Sequence, residues 1–181
     1  ASSIDAGAGV EPAGPPGIRI IDVTDPATPT PRGFWPSPAQ VHSIALLGRT
    51  LYVAAGTAGL RVLDGTDPDQ PTEIAVLDRP DTIDYAIAVV ADPTRPILYA
   101  LDASTDHLVV VGHDGATPQV VARLPLDRPA LSVAVAEGDH VLVGTDRTSG
   151  GNDDDTVLLV VDVASPQSPG IVGRLSSGGK S

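Results

Sequence analysis

A chain of 181 residues, 41% of them apolar, is long enough for one substantial domain with a real core. Its 20 Asp and 3 Glu against 10 Arg and 1 Lys leave a net charge of −12, which argues against nucleic acid or an anionic membrane surface as partner, since both need a basic footprint. Cysteine is absent, so no disulfide or thiolate metal site can form, and no apolar run approaches the ~20 residues of a membrane span. Methionine is absent too, as expected of a processed or trimmed chain.

Residues 1–17 are small and rich in Pro and Gly and read as a linker or extended arm. Ile18–Pro29 then spells Ile-Arg-Ile-Ile-Asp-Val-Thr-Asp-Pro-Ala-Thr-Pro, and related stretches begin at Leu60, Leu108 and Leu158. A self-similar period of this length means a repeat architecture. Each copy opens on four or five apolar, β-branched-rich residues, too short for an amphipathic helix and too continuous for a half-exposed strand. A strand covered on both faces is expected. The Asp that ends it can accept hydrogen bonds from the amides of the next turn. Asp-Pro suits the first two positions of a type I turn, and the second Pro delays the next strand, having no amide for a ladder. The copy at Leu108 is worn: Gly112 stands where the Asp belongs, and one Pro is lost.

A second hairpin alternates with the first. Val41–Leu47 turns at Gly48-Arg49 into Thr50–Ala54. Tyr85–Val90 pairs with Ile97–Leu101, and Leu131–Val135 with His140–Gly144. Each unit therefore holds four short strands, with no sustained helical period, and four antiparallel strands per repeat is the pattern of β-propeller blades. The expected fold is all-β, with complete blades over 41–77, 85–124 and 131–175. Ile18 begins in mid-blade, so the first blade has only its outer two strands, about 3.5 blades in all. Residues 176–181 are expected to form a flexible tail. Open edges invite association, so strands of a protein partner, or of another part of the same protein, are expected to complete the open blade.

The strands Ile-Arg-Ile-Ile-Asp, Leu-Arg-Val-Leu-Asp and Leu-Leu-Val-Val-Asp, with the Asp/Ser-Pro-x-x-Pro that follows and Leu51–Ala54, resemble the LVIVD repeat family over roughly residues 17–175. The resemblance implies a β-propeller and an exported or cell-surface bacterial or archaeal protein more than a reaction.

No nucleophile elbow, phosphate-cradling Gly loop or zinc-type His spacing occurs. The expectation is a non-enzymatic, extracytoplasmic module for protein association or surface scaffolding, without an obligatory cofactor. Its rival is a carbohydrate-binding or hydrolytic propeller with a cation in the central channel. Three places could carry chemistry. Asn152, Asp153 and Asp155, in an acidic loop, offer oxygen donors suited to Ca²⁺ or simply make a solvated turn. Aligning the innermost strands puts His42, Tyr85 and Leu131 at one equivalent position, with Gln40, Asp84 and Ala130 beside it. That is either a channel-mouth site or a set of loop–strand boundary residues. Phe34 and Trp35, the chain's one Phe and one Trp, are either an exposed interface anchor or the aromatic plug of the first blade.

Overall fold

The computed structural model describes residues 15–78, 82–113, 117–145 and 156–176, and every regular element among them is a β-strand. The acidic loop at 152–155 and most of the two terminal segments lie outside the described residues. In chain order the strands are β1 (Gly17–Asp22), β2 (Thr30–Pro36), β3 (Ser43–Leu47), β4 (Thr50–Ala54), β5 (Leu60–Asp64), β6 (Thr72–Leu77), β7 (Ala86–Ala91), β8 (Ile97–Asp102), β9 (His107–Gly112), β10 (Gln119–Pro125), β11 (Ala130–Ala136), β12 (His140–Thr145), β13 (Thr156–Asp162) and β14 (Gly170–Ser176). They form four antiparallel sheets: β1-β2, β3-β4-β5-β6, β7-β8-β9-β10 and β11-β12-β13-β14. This is an open propeller-blade arrangement, with three full blades and the outer pair of another.

The motif turns show why the hairpins recur. Asp22 accepts from the Thr24 amide, Asp64 from the Thr66 amide and Asp162 from the Ala164 amide, each at 2.8 Å. The following Asp-Pro or Ser-Pro closes a four-residue turn: Thr28 N donates to Asp25 O at 3.1 Å, Gln70 N to Asp67 O at 3.2 Å, and Ser168 N to Ser165 O at 2.9 Å. The strand after each turn begins at the residue next to the last Pro, at Thr30, Thr72, Gln119 and Gly170. Proline has no amide to give, so the ladder starts one residue later. The tight turn between β3 and β4 places Gly48 in the left-handed region at φ 62°, where a side chain would strain the backbone.

Adjacent sheets meet along their inner strands. Ser43 Oγ on β3 accepts from Val89 N and donates to Val89 O on β7, both at 3.2 Å. Gly56 N donates to Ala86 O at 2.9 Å and Ala86 N to Gly56 O at 3.1 Å, a bridge between the first two full sheets. One core lies between those sheets, around Tyr52, Leu60, Val62, Leu98 and Val109. A second lies between β7–β10 and β11–β14, around Tyr99, Leu108, Val143, Leu159 and Val161.

Coverage on both faces holds for β5 and for β9, whose Leu108–Val111 are all buried. It fails for β1, where Ile18 is buried but Ile21 is 50% exposed. The reason is packing. Ile18 and Trp35 press against Val53 and Leu63 of the next sheet, and no described strand lies on the other face.

Candidate functional site

His42 and Tyr85 stand immediately before β3 and β7, the first strands of two adjacent sheets. His42 follows directly on the Pro-rich connection out of β2, and its amide donates to Ala54 O at 2.8 Å. Tyr85 precedes β7 in the next sheet. The two rings lie 5.9 Å apart between centroids, tilted by 52°, so residues 43 apart in the chain form one aromatic pair. His42 and Asp84 are exposed and Tyr85 is half-buried. Gly56 lies beneath the pair: a Cβ there would come within 3.1 Å of His42 Nε2. Leu131 is exposed, but it is the second residue of β11, and the ladder registers set it level with Ile87, not with Tyr85.

A buried carboxylate that the motif reading overlooked holds the backbone at Asp84 and Tyr85 in place. Asp102, at the end of β8, accepts from the Tyr85 amide at 3.2 Å and the Asp84 amide at 3.4 Å. It also accepts from Ser104 N at 3.1 Å, Ser104 Oγ at 2.8 Å and Thr105 Oγ1 at 2.9 Å, and pairs with Arg123 at 3.0 Å. Burial works to raise its pKa. The bonds from Ser104, Thr105 and Tyr85 outweigh burial and leave it below the ordinary carboxylate value. Arg123 in turn donates to Thr82 O and Thr105 Oγ1. The sequence signal was present: Asp102-Ala103-Ser104 repeats the Asp-x-Thr pattern of Asp22-Val23-Thr24 and Asp64-Gly65-Thr66.

Asp92 plays the corresponding part at the other end of the same hairpin. It accepts from Thr94 N at 2.9 Å and from Arg95 Nε at 2.9 Å and NH2 at 2.7 Å. Arg95 also donates to Tyr99 Oη and, across to the next sheet, to Val163 O, both at 2.9 Å, and pairs with Asp139 at 3.3 Å. Burial would raise the Asp92 pKa, but the Thr94 and Arg95 bonds prevail and bring it to about 2. Both buried carboxylates are thus engaged in holding turns and sheets together.

The two aromatics of the first hairpin separate. Trp35 is 7% exposed and belongs to the cluster with Ile18, Val53 and Leu63, the plug position. Phe34 points the other way, is 40% exposed, and carries the Arg19 guanidinium 5.6 Å from its ring centroid. The histidines are dispersed. His107 and His140 sit by backbone carbonyls, Nδ1 to Thr105 O at 2.6 Å and to Glu137 O at 3.2 Å. His113 meets Tyr52 of the neighbouring sheet. Among the described residues no group of three or more His, Cys, Asp or Glu side chains is placed to hold a metal ion. Asn152, Asp153 and Asp155 lie outside them.

Comparison with known proteins supports the fold. Residues 38–78, the segment that ends with the β3–β6 sheet, match the LVIVD repeat family. The chain is similar in structure to Kuenenia stuttgartiensis hydrazine synthase, with 16% identity over 80% of this chain and a TM-score of 0.61. It is also similar to a Bacteroides fragilis NCTC 9343 protein titled "Putative exported protein", with 13% identity over 77% of this chain and a TM-score of 0.55. This chain spans 39% and 38% of those two chains. No curated protein sequence matches it. At such identities the likeness is one of fold.

Proposed function

We propose that the chain is a non-catalytic association module, an extracytoplasmic propeller segment whose open edge and apolar faces are completed by strands of another polypeptide or of another region of a longer one. The observation that carries this reading lies beside β1. Among the described residues that strand bonds to β2 alone, and the β1–β2 pair covers the neighbouring sheet at Val53 and Leu63. On the same face of that sheet, Ile44 pairs across from Val53 and Leu46 across from Leu51. Ile44 is nevertheless 47% and Leu46 62% exposed. Covering two such side chains is worth about 1–2 kcal/mol each, and β1 offers a ladder to receive the strands that would do so. The incomplete coverage of the two longer similar chains points the same way, and the likeness to an exported protein supports the location.

The rival, a carbohydrate-binding or hydrolytic propeller, has the His42–Tyr85 pair beside Asp84 in its favour, since an aromatic face next to a carboxylate suits a sugar. The exposed apolar surface at β3 favours association. Light scattering and amide exchange test it together. Mass should rise with concentration or on adding a partner, as exchange at Ile18–Asp22 slows, and Ile44→Asp/Leu46→Asp should abolish both changes. A monomer at every concentration whose Ile18–Asp22 amides already exchange slowly refutes the reading.

A further inference from the structure

The worn copy of the repeat borders a cavity. In the other three copies an Asp ends the motif strand and turns its carboxylate back onto the next turn. At that position β9 ends in Gly112, followed by His113. The His113 ring reaches the neighbouring sheet instead, where Nδ1 meets Tyr52 Oη at 2.5 Å with the rings edge to face, 5.8 Å between centroids. Beside it a cavity of about 290 Å³ opens between the ends of β8–β10 and the turn after β13. Pro96, Ile97 and Val121 give it apolar walls on one side and Pro166 on the other, with the Thr117 hydroxyl and the Gln119 and Gln167 amides among its lining groups.

The contact with Tyr52 allows a tautomer that leaves His113 a proton to offer. Burial pushes the Tyr52 hydroxyl up to about 12, so it keeps its proton at neutral pH, and in that tautomer it donates the proton to Nδ1. An imidazole that accepts at Nδ1 carries its own proton on Nε2 and becomes a donor there. Among the described residues the lining holds neither Lys nor Arg, and the chain carries −12 overall, so they offer an anion no counter-charge. An apolar cavity with a few fixed polar groups is the usual form of a small-molecule site.

We propose that this cavity binds a small, uncharged, largely apolar molecule whose carbonyl-type acceptor is received by His113 Nε2–H. The site goes beyond the association reading, and neither outcome below bears on β1 or β3. The isotopically labelled full chain is titrated with acetophenone and, separately, with cumene, which has a similar shape but no oxygen. The Ile97 and Val121 methyls and the His113 ring nitrogens are followed by NMR. Acetophenone should shift all of them saturably and bind about tenfold tighter than cumene, the equivalent of one hydrogen bond. Gln167→Trp, made in an exposed turn, should fill the mouth and remove the shifts. His113→Phe, which keeps a ring against Tyr52 but removes the Nε2–H donor, should cut the preference for acetophenone to about twofold or less. Shifts that never saturate, equal affinity for the two probes, or binding untouched by Gln167→Trp would each overturn the assignment.

Discussion

Replacing Asp92 by Asn tests whether the Asp92–Arg95–Tyr99 network holds two blades together. The side chain is 3% exposed, and its pKa stands at about 2 against an ordinary 3.8. At a little over 1 kcal/mol for each pH unit between the two, the folded state gains about 2–3 kcal/mol from the ionised form at neutral pH. The sign follows from the depressed folded-state value. The gain is complete above about pH 5, falls to roughly half at pH 3, and is nearly gone at pH 2. Other carboxylates also titrate in this window, Asp102 among them, so the informative quantity is the difference between the native chain and Asp92→Asn. Urea unfolding followed by circular dichroism at pH 7, 5 and 3 supplies it. The variant should be less stable by about 2–3 kcal/mol at pH 7, with the gap about halved at pH 3. A gap of the same size at all three pH values would show that shape, not charge, makes the contribution, and would refute the reasoning.

Trp35→Ala should cost about 3–5 kcal/mol, because the ring is buried with Ile18 against Val53 and Leu63; amide exchange at Ile18–Asp22 should accelerate before that of β8 or β9. Gly59→Ala and Gly48→Ala separate strain from collision. Both glycines have positive φ, 70° and 62°, but a Cβ at Gly59 would lie 2.7 Å from Asp78 Cα and 2.9 Å from Ile83 O, whereas at Gly48 nothing lies within 4 Å. Thermal melts should show about 1 kcal/mol lost at Gly48 and at least twice that at Gly59. Arg32→Ala removes a surface clamp in which Nε and NH2 each bond Asp69 at 2.5 Å; its effect on melting temperature should shrink markedly in 0.5 M salt, since exposed pairs are screened.

Much of the fold was legible because each blade is built from local instructions. An Asp that caps its own turn, a Pro that fixes φ and a Pro that withholds an amide act within a few residues, so the motif stretches announce their hairpins wherever they stand. Repetition also set His42 beside Tyr85, and the rings do meet, but the ladder registers place Ser43 level with Ala88, so the two residues meet across sheets without being equivalent in register. Alternation along β2 likewise implies that Phe34 and Trp35 face opposite ways. Only the tertiary structure decided which of them is buried, since that depends on where Val53 and Leu63 stand. The same holds for Asp102, whose Asp-x-Ser signature foretells a capped turn but not Arg123 arriving from β10 or the Tyr85 amide. It holds as well for His113, whose partner Tyr52 lies 61 residues away. Capping is a short-range matter of backbone geometry, readable within one turn. Burial, pairing between sheets and the cavity beside Gly112 arise where separate blades pack, and side chains far apart in the chain acquire their roles only once those surfaces meet.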